Sequence, residues 1–308
     1  MVDQDWELPG KAKALKLRAV VFQALRDFFA QRGFLEVETP VRIPASAPEA
    51  HIETVASGDW FLHPSPELCM KRLLAAGYEK IFQICKCFRG GERGDLHLPE
   101  FTMLEWYRVN CDYHILMKDC EALITAAAAA AGRPSVIHWR GETINLAPPW
   151  ERLTVREAFS RYAGVDSDEA LRQDRFNEIL VEAVEPRLGK KAPCFLYEYP
   201  AALGSLARLK SGDPRVAERF ELYIAGLELA NAFSELTDPT EQRRRFEVVQ
   251  RERVLAGETV PPSPESFLAA LGRMPEAAGI ALGLDRLVML LVDADRIDAV
   301  VAFPPELL

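Results

Sequence analysis

Residues 80–89 and 100–108 form two strand-like runs of apolar and aromatic residues, separated by a loop that carries Gly90, Gly91 and Gly94 and closes at Pro99. Glycine and proline punctuate the link, so the pair predicts a hairpin with a long loop and commits the chain to antiparallel pairing. A second hairpin is expected over 220–229, where two strand-like runs flank a turn at Ala225-Gly226. Residues 279–284 read as a strand of small residues that runs into a helix beginning near Asp285-Arg286. Helices are expected to cover this sheet. Leu17, Val21, Leu25 and Phe28 recur at helical spacing over 15–29, with Gly33 as the stop, and 34–40 follows as an alternating strand closed by Pro40. Ser65-Pro66-Glu67 has the chemistry of a helix start, placing Glu67 in the first turn of a helix that Gly77 can end. An alanine-rich helix is expected over about 112–131, and Thr154-Val155-Arg156-Glu157 reads as a capping box that opens another. The stretch between, 133–151, is rich in proline and polar residues and is expected to loop. The class that fits is α+β, an antiparallel sheet flanked by helices.

At 308 residues, 49% of them hydrophobic, the chain can fill a large core, which argues against a disordered tail-binding protein. A formal net charge of -9 argues against a broad electrostatic grip on nucleic acid, because such binding neutralises phosphates with Lys and Arg. DNA is not an expected partner. The opening Met1-Val2-Asp3-Gln4-Asp5-Trp6 lacks the basic-then-apolar order of a secretory signal, and the apolar runs 126–131 and 287–292 are too short to span a membrane. A soluble, cytoplasmic protein with no membrane partner is expected. Cysteines stand at 69, 85, 87, 111, 120 and 194 without C-x-x-C pairing or a companion histidine cluster, so packed, reduced thiols are expected rather than a zinc site. Cys85 and Cys87 share one face of their strand, where packing is the expected role. His51, His63, His114 and His138 are scattered singly and read as structural or surface residues.

Arg89 leaves an apolar strand and opens the glycine loop, a position from which a guanidinium can fork onto a phosphate; taken alone it reads equally as a surface arginine. Arg286 sits at a strand-to-helix junction, where anions are readily bound, although Asp285 beside it offers a salt-bridge alternative. If Tyr223 faces Glu228 across the second hairpin, Glu221 and Glu228 become diagonal neighbours on one face, roughly 7 to 8 Å apart between Cα atoms. Two carboxylates that close favour a cation.

Pro40 with its preceding helix and strand, Phe88-Arg89 with the loop to Phe101, and Gly279-x-x-x-Gly283-x-Asp285-Arg286 resemble, in the family's own order, motifs 1, 2 and 3 of class II aminoacyl-tRNA synthetases. Pro99-Glu100-Phe101-Thr102-Met103-Leu104-Glu105-Trp106-Tyr107 and Glu228-Leu229-Ala230-Asn231-Ala232-Phe233-Ser234-Glu235-Leu236 are similar to the lysyl branch, and the likeness runs from about residue 14 to residue 304. Lysyl-tRNA synthetases carry an anticodon-binding OB domain ahead of the motif 1 helix, whereas this sequence starts at that helix. Its layout is similar to the ligases that attach beta-lysine to a lysine of elongation factor P, as are Phe220-Glu221-Leu222-Tyr223 and Leu73-Leu74-Ala75-Ala76-Gly77.

The resemblance implies one class II synthetase catalytic domain over 1–308 with an elaboration over about 133–215, a homodimer formed through motif 1, and ATP with Mg2+ as cofactors. It makes Arg89 and Arg286 the catalytic clamps on the ATP phosphates, gives His97 the outer phosphates and Phe101 the adenine face, and sets Glu221 and Glu228 on the magnesium that accompanies ATP. Glu67 would take the backbone amine of the amino acid, Asn231 would lie near its carboxylate, and Glu235 with Tyr107 would receive the side-chain ammonium. The family's motif 2 usually has glutamate two residues after its arginine; Gly91 stands there in this sequence, and Glu92 is expected to serve adenine after the glycine loop re-registers. Ala281 replaces a glycine usual in tRNA-loading lysyl enzymes and is similar in this to the elongation factor P ligases. One methyl is worth about 1 to 3 kcal/mol of discrimination, so Ala281 tilts the choice between lysine and beta-lysine. Ala232 stands in for a glycine common to both groups. The expected activity is formation of a lysyl or beta-lysyl adenylate and transfer to a lysine of elongation factor P, with tRNA an unlooked-for acceptor. A truncated lysyl-tRNA-synthetase-like ligase loading tRNA or a small molecule, and a non-catalytic amino-acid-binding regulator, are the alternatives; intact Arg89, Arg286, Glu221 and Glu228 count against the regulator.

Overall fold

The computed structural model describes residues 8–50 and 52–308; His51 and the opening Met1-Val2-Asp3-Gln4-Asp5-Trp6 lie outside them. In chain order the elements are α1 (Leu8–Ala30), β1 (Leu35–Glu36), β2 (Arg42–Ile43), β3 (Val55–Ser57), β4 (Trp60–Leu62), α2 (Glu67–Ala75), β5 (Lys80–Phe88), β6 (Glu100–Val109) and α3 (Tyr113–Ala130). Next come β7 (Val136–Trp139), β8 (Glu142–Asn145), β9 (Glu151–Thr154), α4 (Val155–Ala163), α5 (Ser167–Arg172), α6 (Phe176–Ile179), β10 (Cys194–Pro200) and β11 (Leu209–Lys210). The chain then forms β12 (Asp213–Ile224), β13 (Leu227–Ser234), α7 (Pro239–Leu255), α8 (Glu265–Leu271), β14 (Ala277–Gly283) and α9 (Leu284–Val292).

The long-looped hairpin is the middle of the sheet. β5 and β6 pair antiparallel from Lys80 opposite Arg108 to Phe88 opposite Glu100. β14 adds to β6, and the β12–β13 hairpin adds to β14, giving the order β1-β5-β6-β14-β13-β12-β10-β9 with β11 beside β12. Only the outer pairs, β1 with β5 and β9 with β10, run parallel. The fold is therefore α+β, with a mixed sheet that is antiparallel through its centre.

Side chains alternate along each strand, so one register decides both faces of the sheet. Leu104, Trp106, Ile280, Leu282, Phe220 and Leu222 enter one buried core with residues of α1, α3 and α9. Helix α1 contributes Phe29, whose ring stacks on Phe82 at 4.5 Å and meets Trp106 at 5.4 Å. The intervening residues occupy the opposite face: Glu105 pairs with Ala281 and Tyr107 with Gly279, and Ala281 and Gly279 pair in turn with Asn231 and Phe233. Part of that second face is covered by a cluster of Met70, Leu74, Ile81, Phe246, Phe267 and Leu271, drawn from α2, β5, α7 and α8. Another cluster, including Phe159, Phe176, Leu196 and Tyr223, packs α4 to α6 on the β9–β10 end. The stretch of face carrying Glu105, Ala281 and Asn231 remains lined by a cavity.

Local chemistry explains most of the elements. Thr154 and Glu157 bond each other's backbone N–H, which completes the expected capping box of α4. Ala225 and Gly226 both have positive φ, 57 and 80 degrees, the geometry that matches a two-residue link to the twist of its strands. Two expectations need correction. Residues 34–40 give only the two-residue β1, because after Val37 donates to the Phe82 carbonyl the chain turns from the sheet. The 133–151 stretch is not all loop: β7 and β8 form a hairpin that buries Ile137 and Ile144, with four residues in each strand, too few for alternation to stand out from polar neighbours. No helix among the described residues is long and apolar enough to cross a membrane.

Phe29→Ala empties the contact among α1, β5 and β6; a loss of about 3 to 5 kcal/mol in unfolding free energy is expected by urea denaturation. A loss under about 1 kcal/mol would show that α1 is not fastened through this ring.

Candidate active site

The cavity encloses about 280 Å³, and residues from both hairpins and from β14 line it. Arg89 and Arg286, far apart in sequence, open onto the same space. The guanidinium carbon of Arg89 lies 5.1 Å from the centroid of the Phe101 ring, and its Nη1 is 3.7 Å from Glu92 Oε1. Arg286 Nη1 donates to the Glu228 carbonyl at 2.6 Å and Nε donates to the Leu96 carbonyl at 3.3 Å. Its Nη2 stands 2.6 Å from His97 Nε2. A guanidinium only donates, so Nε2 is the acceptor and the imidazole is neutral; burial and then the charge of Arg286 lower the His97 pKa. Asp285 is not the partner of Arg286. Its Oδ1 accepts from Arg18 Nη1 at 2.5 Å and its Oδ2 from the Thr102 N–H at 2.7 Å, tying α9 to α1 and β6 and leaving Arg286 turned to the cavity.

The other end is acidic. Lys71, fully buried on α2, places Nζ 2.6 Å from Glu67 Oε1 and 2.5 Å from Glu235 Oε2. Burial alone would lower the Lys71 pKa, but Glu235 and Glu67 outweigh it and push it up to about 12. Glu105 accepts from Ser65 Oγ at 2.5 Å and from the Tyr107 hydroxyl at 2.8 Å. Burial, reinforced by the Glu67 charge, raises the Glu105 carboxyl well above its ordinary range. Burial raises Glu235 to about 7 despite the opposing pull of Lys71, and burial with the Glu67 charge raises Glu49 to about 7. Tyr107 and Glu235 converge over Gly279: a Cβ there would stand 2.1 Å from the Tyr107 ring and 2.5 Å from Glu235 Oε1. Glycine is required at 279 by that approach. Ala281 and Asn231 line the wall between the two ends.

Tyr223 does face Glu228 across the β12–β13 pair, with an irregularity after Leu222. Glu228 lines the cavity and Glu221 does not. Glu221 is held behind it, Oε1 accepting from Arg219 at 2.5 Å and Oε2 from the hydroxyls of Tyr199 at 2.5 Å and Tyr223 at 2.7 Å. Burial and the Glu221 charge raise the Glu228 carboxyl to about 7, while 42% of its side chain stays open and so partly hydrated. A cation at Glu228 would relieve that repulsion, so the donor set fits a divalent ion ligated by Glu228 with Glu221 as the charge behind it.

The sequence-predicted residues Glu67, Arg89, Glu92, His97, Phe101, Tyr107, Glu228, Asn231, Ala281 and Arg286 line this one cavity. Glu235 reaches it through Lys71 and the Gly279 approach, and Glu221 sits one layer back. Several buried polar atoms here lack hydrogen-bond partners: Arg89 Nε, Asn231 Oδ1 and Glu235 Oε1. Such atoms are normally paired, and their convergence suits a polar ligand. Glu105, which alternation along β6 allows to be a solvated or paired strand residue, is buried in the site instead; its parity with Phe101 and Tyr107 was the available signal. Lys71 and Glu49 carried no such signal. The cysteines are free, as expected, and His63, single in the sequence, folds beside Cys85 and Cys87.

Residues 5–306 match the family model of class II tRNA synthetases (D, K and N). The chain belongs to that family. Among curated relatives of this class II synthetase, the elongation factor P (R)-beta-lysine ligase of Vibrio cholerae is 38% identical over 99% of both chains. The protein of the same name from Proteus mirabilis is 40% identical over 97% of both. The lysine tRNA ligase of Moorella thermoacetica is 40% identical over 93% of this chain but only 64% of its own length.

Lys71→Met leaves Glu67 and Glu235 buried without a cation; a destabilisation of about 3 to 5 kcal/mol is expected by denaturation, and an unchanged midpoint would contradict the pairing. Glu49, Glu228 and Glu235 hold protons to about pH 7 when folded, against an ordinary carboxyl value of 4.5. The folded state therefore binds more protons between those values, and stability falls as pH rises from 5 to 7. Lowered His97 acts in the opposite sense but is one group against three. Melting temperature of the unliganded protein should decline across that window, less steeply in Glu235→Gln.

Proposed function

We propose that this class II synthetase joins (R)-beta-lysine or lysine to a lysine side chain of elongation factor P, by way of an aminoacyl adenylate made from ATP. The observation that carries the reading is the polar division of a single cavity, with Arg89, Arg286 and the neutral His97 at one end and Glu67 and Glu105 at the other, where Glu235 stands behind through Lys71. A triphosphate suits the first end and an amino acid with a second ammonium suits the second. The full-length likeness to ligases named for elongation factor P supports the acceptor. The match to only part of the lysine tRNA ligase gives tRNA less support.

Arg89 and Arg286 would hold the phosphates, His97 would meet the outer ones, Phe101 would stack on adenine, and Glu92 would reach its edge. Glu67 would take the backbone amine, Asn231 the carboxylate, and Glu235 with Tyr107 the distal ammonium, with Lys71 yielding its place. The substrate carboxylate attacks the α-phosphorus and pyrophosphate leaves; the acceptor amine then attacks the adenylate carbonyl and AMP leaves. Glu228, with Glu221 behind it, would hold magnesium, which would supply neutralisation of phosphate charge. Catalysis by this chain's residues is positioning and charge stabilisation. We also read 133–215 as an elaboration within one catalytic domain, and a cytoplasmic homodimer formed at motif 1, where Val20, Leu35 and Val41 are exposed.

Pyrophosphate exchange across a panel of amino acids that includes both lysine isomers tests activation, and mass analysis of elongation factor P or tRNA after incubation tests transfer. Exchange with a lysine isomer and added mass on elongation factor P are expected; label on tRNA alone would overturn the acceptor. Arg286→Ala should lose about 100 to 1,000-fold in rate. Glu235→Ala should weaken the amino acid far more than ATP, and equal losses in both would contradict its role.

A further inference from the structure

His63, Cys85 and Cys87 take part in no step above. Cys85 and Cys87 lie opposite Met103 and Phe101 in the β5–β6 register, on the cavity-bearing side of the sheet, with their Sγ atoms 3.9 Å apart. His63 follows β4 and lies along the free edge of β5, where its carbonyl accepts from the Phe88 N–H at 3.0 Å. Its Nε2 is 2.7 Å from the Lys86 carbonyl. A carbonyl can only accept, so Nε2 carries the proton and Nδ1 keeps a lone pair. One ring nitrogen of His63 and the two Sγ atoms lie within 4.8 Å of one another; no other group of three such side chains is this close among the described residues. His63 and Cys87 are buried at 1% and 0% exposure.

Two thiolates bound to zinc at about 2.3 Å and tetrahedral angles stand roughly 3.8 Å apart, close to the separation found here, whereas a disulfide needs about 2.05 Å. An imidazole that donates its second N–H to a backbone carbonyl has the orientation metal-binding histidines use. We propose that His63, Cys85 and Cys87 bind one zinc ion, a site distinct from the nucleotide cation at Glu228. The fourth position is left to water. A cavity of about 240 Å³, lined by His63, Leu68 and Arg72 among others, gives an ion a route to the histidine. The consequence lies two residues on: Ser65 Oγ donates to Glu105 and accepts from the Glu67 N–H at 3.0 Å. An ion that fastens His63 to β5 holds the segment that sets both carboxylates.

Titration of the reduced full-length protein with cobalt(II), then zinc, tests the site. One cobalt per chain is expected, with a thiolate-to-cobalt charge-transfer band and intense tetrahedral visible bands, all abolished by stoichiometric zinc. Cys85→Ser, at a partly exposed position, should lose about half of the charge-transfer intensity, one of two thiolates, and His63→Gln should weaken cobalt at least about tenfold if ligand loss behaves as it does in other sites. Cys111→Ser, on a different strand end, should keep both. Zinc should raise the melting temperature of the parent and not of Cys85→Ser, with circular dichroism confirming that the variants fold. No charge-transfer band, a band undiminished by Cys85→Ser, or recovery of Cys85 and Cys87 as a disulfide from freshly reduced protein would overturn the site.

Discussion

The register between β6, β14 and β13 decides everything else. Glu105 opposite Ala281, and Ala281 opposite Asn231, puts the polar set of three strands on one face. The same alternation sends Leu104, Ile280 and Trp106 into the core beneath. A slip of one residue would bury Glu105 among those apolar side chains and turn Leu104 toward the cavity, which the cost of unpaired buried charge forbids. Core and catalytic surface are therefore two readings of one alignment.

On that face, charges are held ready by neighbours that neutralise them. Lys71 lies between Glu67 and Glu235, Arg219 and two tyrosines hold Glu221, and Arg18 with the Thr102 N–H holds Asp285. Each arrangement keeps an acidic group fixed in the absence of ligand, while Arg89 Nε and Asn231 Oδ1, both on cavity-lining residues, remain without partners. Lys71 thus leaves neither Glu67 nor Glu235 without a buried cation beside it.

How much of this could be read in the chain depended on distance along it. The Ala225-Gly226 turn, the Thr154 capping box and the Gly-rich loop between β5 and β6 are local devices, and residue types alone announced them. Arg89 and Arg286 were identified by their junction positions and by motif resemblance, and the cavity joins them. Lys71 was missed although Glu67 stands four residues before it on α2, because an i,i+4 pair ordinarily reads as a solvated helix face; its burial, like the desolvation of Glu49, arises only when α2 and the preceding loop fold over the sheet. His63 was read as isolated for the same reason: 22 positions separate it from Cys85, and the edge contacts at Phe88 and Lys86 close the gap. The short β7–β8 pair escaped because its signal is spread over too few residues.

The irregularity after Leu222 acts as a phase shift. Upstream of it Glu221 pairs with Asn231 and Leu222 with Ala230, yet Tyr223 pairs with Glu228, so Leu229 is an added residue on one strand. Glu228 is thereby rotated to the same side as odd-numbered Asn231 and Phe233, although its even number would otherwise send it inward with Ala230 and Ala232. The seven-residue interval between the two acidic side chains is thus a geometric product of a tight turn plus one surplus position. Removing Leu229 would take no charged group from the cavity, but it would swing a carboxylate through half a turn into hydrocarbon.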